Sequence, residues 1–196
     1  MPDTPQLILA SGSPRRSDLL REAGYDFTVV KPEIEEIEDG SIPIRIVTAE
    51  NAKLKATAVS EAHPEAVVIA ADTLVLLGER VLSKPLSREE AVEMLAALNG
   101  NSHQVFTAVT LMQDGTGKTH RFTIATDVHF KDLTEPEMEA YHAKINPMDK
   151  AGAYAAQEHG ELIIDRIEGS MTNVIGLPMD EVSAALKEEF GIVPLA

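Results

Sequence analysis

The stretch Ala66–Leu77, AVVIAADTLVLL, constrains the fold of this chain more than any other: it is rich in Val, Ile, Leu and Ala and carries a single charge. A run this short and this apolar predicts a strand buried on both faces, and so a sheet covered by helices. Gly78-Glu79 with Val81-Leu82 beyond predicts a hairpin return. The one charge is Asp72. An ionised carboxylate among apolar side chains needs a partner, or a position where the strand opens into a cleft. A purely architectural role, with Asp72 bonding a turn amide, is less economical.

A second apolar run, Leu7–Ala10, stops abruptly in Ser11-Gly12-Ser13-Pro14-Arg15-Arg16. This predicts a buried strand feeding a helix, with Ser13 as N-cap, Pro14 at the first helical position, Leu19, Leu20 and Ala23 on one face and Gly24 closing it. Two arginines in the first turn oppose the helix macrodipole, which favours anions there. Free backbone N–H groups, the Ser11 and Ser13 hydroxyls and the guanidinium of Arg15 or Arg16 could together cradle a phosphate. On position alone, an N-cap with two arginines reaching into water is as good a description. No GxxxxGK is present, so this is not a Walker loop.

The remaining elements complete an α/β pattern. Phe27–Val30 predicts a strand, the acidic KPEIEEIEDG after it a solvated loop, and the Ala-rich segment from Ile44 to Ala62 a helix. Ser87-Arg88-Glu89-Glu90 has capping-box spacing and opens a helix through Leu98 that stops at Asn99-Gly100. Val105–Met112 and Arg121–Phe130 predict antiparallel strands joined around Asp114–Gly117. A short helix from Thr134, a strand over Leu162–Ile167 and a helix over Asp180–Phe190 follow. With no repeat and no long linker, residues 1–196 are expected to form a single α/β domain, with a mixed central sheet, flanking helices and two lobes around a cleft.

Composition narrows the ligand. Seventeen Lys and Arg against 32 Asp and Glu give a net charge of −15, which repels a nucleic-acid polymer unless the bases form one patch. A small phosphorylated ligand fits, since a local basic cluster focuses field even on an acidic chain. The absence of cysteine excludes disulfides, zinc–thiolate sites and a thiol nucleophile, and suits a reducing cytosol. There is no HExxH or paired histidine spacing, and His129 in a strand pattern reads as structural. Any metal would be Mg²⁺ or Mn²⁺ on carboxylates and substrate phosphates. With no basic leader and no apolar segment approaching ~20 residues, the expectation is a cytoplasmic chain without a membrane partner.

Several further residues are undiagnostic alone. Lys84 in VLSKP could set a cation near Asp72, although a lysine before proline is usually at the surface. Lys55 lies on the Ala-rich helix. In Asp149–Tyr154, opposite charges meet small residues that permit close backbone approach, and the Gln157 amide follows.

Taken in order, Ser11-x-Ser13-Pro14-Arg15-Arg16, Asn51-Ala52, Lys55-Ala56, Ala71-Asp72-Thr73, Lys84-Pro85, Gly100 with His103, Val105 and Thr107, Asp149–Tyr154 with Gln157, and Gly169-Ser170 with Val174 through Pro178 resemble the Maf family of nucleoside triphosphate pyrophosphatases, also called septum formation inhibitor proteins. The resemblance runs nearly end to end. It implies hydrolysis of a nucleoside triphosphate between the α and β phosphates, a divalent metal (Mg²⁺ or Mn²⁺), a mixed-sheet fold of the Maf/ITPase type with the site between two lobes, and often a homodimer. By position, Asp72 matches the proton acceptor and Ser11, Arg15, Arg16, Lys55 and Lys84 match phosphate-facing residues. Glu36 matches an acidic position that helps Asp72 hold metal.

Substrate choice in the family tracks three positions, here Arg15, Thr73 and Gln157. That combination resembles the branch acting on dTTP and UTP, with room beside the ring for modified pyrimidines. Gln157 suits this role, because an amide both donates to and accepts from the imide edge of uracil or thymine. The competing readings are the sister branch acting on 7-methyl-GTP and a non-catalytic nucleotide-binding regulator of cell division. This chain departs from the family pattern at Ile145-Asn146-Pro147, Ala155-Ala156-Gln157-Glu158, Gly169-Ser170-Met171 and Ser83. None of these departures removes a charged group with an assigned role, but Glu158 sets an extra carboxylate beside Gln157.

Overall fold

The computed structural model describes residues 5–195. Seven strands form one mixed sheet in the order β2-β1-β3-β5-β6-β7, with β4 paired to β3. They are β1 (Leu7–Leu9), β2 (Thr28–Val29), β3 (Val67–Leu77), β4 (Arg80–Leu82), β5 (Ser102–Gln113), β6 (Lys118–Phe130) and β7 (Ile164–Glu168). The helices are α1 (Pro14–Glu22), α2 (Ile44–Ser60), α3 (Arg88–Leu98), α4 (Glu135–His142), α5 (Met171–Ile175) and α6 (Met179–Phe190). The mixed α/β class expected from the sequence is the one observed. Among the described residues, no helix is long and apolar enough to cross a membrane.

The sheet mixes parallel pairs at β1 with antiparallel pairs at β3–β4 and at β6–β7, the latter joined through α4. β1 runs parallel to β2 and to β3, with Leu7, Ile8 and Leu9 opposite Val67, Val68 and Ile69, as a strand–helix–strand crossover requires. β3 and β4 form the expected hairpin, with Leu77 opposite Arg80. β5 and β6 are sheet neighbours joined by a 3₁₀ turn at Asp114–Thr116, and Gly117 in the left-handed region (φ 68°) releases the chain into β6.

The chain divides into two compact units. One gathers the residues up to Asp72, Thr107–Ile124 and the segment from Gly176 onward; the other comprises Thr73–Phe106 and Ala125–Ile175. In the first, Ile8, Ala10, Val68 and Ala70 pack against Ala56 and Val59 of α2. Ala-rich helix faces and small β residues allow this close approach of helix to sheet. In the second, Leu95 and Leu98 of α3, Phe130 of β6 and Tyr141 of α4 are buried with Tyr154.

Several local expectations need correction. Ser13 precedes α1, but its side chain makes no cap hydrogen bond; instead its N–H donates to Ser11 Oγ at 3.1 Å. At α3, Ser87 Oγ accepts from the Glu90 N–H at 3.1 Å, yet the Glu90 carboxylate takes the Leu86 N–H, so the box is displaced by one residue. The reciprocal box forms at Thr134–Glu137. β5 and β6 extend beyond their expected bounds, since polar residues such as Ser102, His103 and Lys118 join the ladder. The short helix α5 carries no apolar period and was not expected.

Candidate active site

The end of β1, the start of α1, the middle of α2 and Asp72 on β3 bring the charged residues of the first unit together. Ser11, 3% exposed, organises the turn after β1: its hydroxyl oxygen accepts from the Ser13 N–H and, at 3.2 Å, from Arg16 Nη1. Arg16 is buried, and its Nε donates to the Gly176 carbonyl at 2.8 Å. Burial lowers its pKa to about 10; Asp72 counters the shift, Arg15 adds to it and Glu36 opposes it. The guanidinium stays cationic at neutral pH and lies within the field of both carboxylates. Arg15, next to it, is half-buried. The turn is therefore a built structure, which favours the anion reading over arginines reaching freely into water.

Lys55 is the hub of the carboxylates. Its Nζ donates to Asp72 Oδ1 at 2.7 Å and lies 3.0 Å from Glu36 Oε2. Lys55 and Asp72 are both buried, and Asp72 Oδ2 is buried with no hydrogen-bond partner. A buried carboxylate oxygen with unused lone pairs is expensive unless something arrives to use them. A proton, a water or a cation would satisfy it.

The acidic segment is more than a solvated loop. Asn51 on α2 accepts from the Ile37 N–H at 2.7 Å through Oδ1 and donates to the Ile37 carbonyl at 3.1 Å through Nδ2. The paired bonds fix the backbone beside Glu36, so its carboxylate reaches Lys55 from an otherwise irregular strand of chain. The sequence carried a signal for this: an amide in the middle of an apolar helix face must find backbone partners.

Among the described residues, no group of three or more His, Asp or Glu side chains could hold an ion. Two carboxylates, Asp72 with its unpartnered oxygen and Glu36, suit a hard cation that completes its shell with substrate phosphates and water. The donor set fits Mg²⁺ or Mn²⁺.

The remaining candidates belong to the second unit. Thr73 follows Asp72 on β3 and is half-buried, its side chain turned to the opposite face of the sheet by strand alternation. Lys84 is exposed after β4. Gln157 is exposed at the end of the Asp149–Gln157 segment, where Lys150 is buried and its ammonium donates to Asp149 Oδ1 at 2.8 Å and the Asn146 carbonyl at 2.9 Å.

Sequence reasoning missed the residues that hold this segment. The Tyr141 hydroxyl donates to the Ala155 carbonyl at 3.1 Å and accepts from the Ala155 N–H at 2.9 Å. His142 Nε2 bonds the Ala153 carbonyl at 3.1 Å, and His103 Nε2 meets the Tyr154 hydroxyl at 2.8 Å. The Gly152 N–H donates to the Ser83 carbonyl at 3.1 Å, tying the segment to the residue before Lys84. Ala153 sits at φ 60°, a left-handed conformation that costs a non-glycine residue about 1–2 kcal/mol. These bonds hold it there.

The family model described as Maf-like protein matches residues 6–189. A dTTP/UTP pyrophosphatase of Akkermansia muciniphila is 43% identical over 182 residues, covering 93% of this chain and 95% of its own. The protein of that name from Bacillus cytotoxicus is 45% identical, covering 93% and 95%, and that from Vibrio parahaemolyticus 42%, covering 93% and 96%. Among solved structures, a HAM1 protein from Coxiella burnetii is similar at 16% identity and a TM-score of 0.44, covering 64% of this chain and 73% of its own.

Proposed function

The chain belongs to the Maf family, and from that premise we propose that it hydrolyses dTTP and UTP to the monophosphate and pyrophosphate. The observation that carries the reading is the Arg16–Asp72–Lys55–Glu36 cluster, in which a buried carboxylate with one unused oxygen stands among cations. Relatives named dTTP/UTP pyrophosphatase, matched over nearly their whole length, support the substrate.

In this reading Asp72 Oδ2 takes a proton from water as the water oxygen bonds to the α-phosphorus. The bond from that phosphorus to the bridging oxygen breaks, and pyrophosphate leaves with the electron pair. Arg16, held by Ser11 and the Gly176 carbonyl, needs no reorganisation to meet developing negative charge, which is where electrostatic catalysis gains most. Arg15 and Lys84 add phosphate contacts. Lys55 balances the charge of Asp72 and Glu36 before substrate arrives. A divalent cation on Asp72 and Glu36 would supply charge neutralisation of the phosphates.

Pyrophosphate release from dTTP, UTP, CTP, GTP and 7-methyl-GTP, each with Mg²⁺ or Mn²⁺, tests the proposal. Preference for dTTP and UTP is expected. Preference for 7-methyl-GTP would move the chain to the sister branch, and nucleotide binding without hydrolysis would make it a regulator. The substrate pool, together with the absence of cysteine, argues for a cytoplasmic site of action.

A further inference from the structure

Gln157 Nε2 donates to Glu158 Oε1 at 3.3 Å, and that oxygen lies 3.4 Å from Lys150 Nζ. Lys150 is 4% exposed, so its charge is a fixed feature of the segment and not a surface group free to wander. We propose that Glu158, anchored by Lys150, is a specificity-determining positioning residue: it holds the Gln157 amide with its carbonyl oxygen outward, selecting bases that present an N–H at N3 and rejecting cytosine. This rests on the function proposed above and on the base-reading role that the family resemblance implies for Gln157.

The polarity follows from donor and acceptor chemistry. An ionised carboxylate only accepts, so the amide faces Glu158 with its NH₂; the reversed amide would set two oxygens against each other. Held this way, Gln157 Oε1 is the atom left to meet a base. Uracil and thymine carry a hydrogen on N3 and donate to it. Cytosine presents a lone pair at N3, which would face another lone pair. An amide without Glu158 turns over and satisfies either base, so the carboxylate converts an ambivalent reader into one of single polarity.

An exposed amide–carboxylate contact contributes little in water, but two features strengthen this one. The backbone leading to Gln157 is clamped by Tyr141 at Ala155, His142 at Ala153 and Ser83 at Gly152, so only side-chain freedom remains to be lost. A base stacked over the pair would also displace water from it, and hydrogen bonds strengthen as the local dielectric falls.

The test measures kcat/KM for UTP and CTP with Mg²⁺ in the unmodified chain and in Glu158→Ala, Glu158→Gln and Gln157→Ala, with melting temperatures confirming that each folds. Glu158→Ala is expected to lower the UTP-to-CTP ratio about tenfold by raising CTP turnover, the scale of one hydrogen-bond preference. Glu158→Gln, whose amide presents either polarity, should fall between. If Gln157→Ala erases the ratio while Glu158→Ala preserves it, the orienting role is overturned and base reading by Gln157 stands. If Gln157→Ala also preserves it, the base-reading assignment falls and this inference with it. Equal weakening of UTP and CTP in Glu158→Ala would make Glu158 merely structural and overturn the proposal. Equal use of UTP and CTP by the unmodified chain would instead count against the function proposed above.

Discussion

The two units handle polar groups in opposite ways. In the first, Ser11, Arg16, Lys55 and Asp72 are buried, with Arg16 bonded to Ser11 at 3.2 Å and Lys55 to Asp72 at 2.7 Å. In the second, Lys84 and Gln157 are exposed, and what is buried is the scaffold behind them: His103, Tyr141, Lys150 and Tyr154. The difference suits two tasks. Charge that must stabilise a transition state works best when fixed and shielded from water, whereas selection among similar bases can sit at the surface if the backbone beneath is rigid.

The largest expected effect tests the fixed half. Asp72→Asn removes the proposed proton acceptor but keeps shape, so pyrophosphate release should fall by roughly 10²–10⁴-fold, with the chromatographic and circular-dichroism signatures of the fold retained. Near-normal turnover would dissolve the contrast, since the buried cluster would then be only structural.

The scaffold of the other half is expected to show itself through pH. Burial holds the His103 pKa at about 4, below the ordinary imidazole value of 6.5, with His129 adding to the shift and Asp127 opposing it. The unfolded chain therefore binds a proton that the folded chain refuses between those values. Stability from neutral His103 is complete above pH 6.5 and is lost as pH falls toward 4, by about 3 kcal/mol in total. Melting temperatures between pH 7.5 and 4 should fall less steeply in His103→Gln than in the unmodified chain; parallel curves would remove His103 from the account.

Arg16 and Arg15 sharpen the comparison within one turn. Arg16→Ala leaves the Gly176 carbonyl without its donor and should cost about 1–3 kcal/mol of stability as well as turnover. Arg15→Ala, at a half-buried position, should raise KM and leave the melting temperature within a degree or two. The smallest effect belongs to the exposed cation: Lys84→Ala should raise KM for UTP several-fold, with no change in denaturant midpoint.

The sequence revealed the strands and helices wherever an apolar period or a capping pattern specified them, as in β3, α3 and the α4 box. It was silent where polar residues complete a ladder, at Ser102 and Lys118, and where a short helix forms without periodicity, at Met171–Ile175. For the site, Asp72 stood out because a charge in an apolar run demands an explanation. Its link to Lys55 and Glu36 depends on a parallel crossover that no local pattern contains. Tyr141 and His142 were invisible for a similar reason: a tyrosine near a helix end looks like core until its hydroxyl is found between an N–H and a carbonyl of the same residue.

The Arg16–Gly176 hydrogen bond has a temporal meaning. A ribosome releases Ser11 and Arg15 early, but the carbonyl that seats Arg16 is made only 160 residues after it, and the chain crosses the boundary between its two units four times on the way. The Arg15–Arg16 turn therefore cannot be finished until Gly176 has been made. A nascent chain that has not yet reached Gly176 would carry the arginines without that seat.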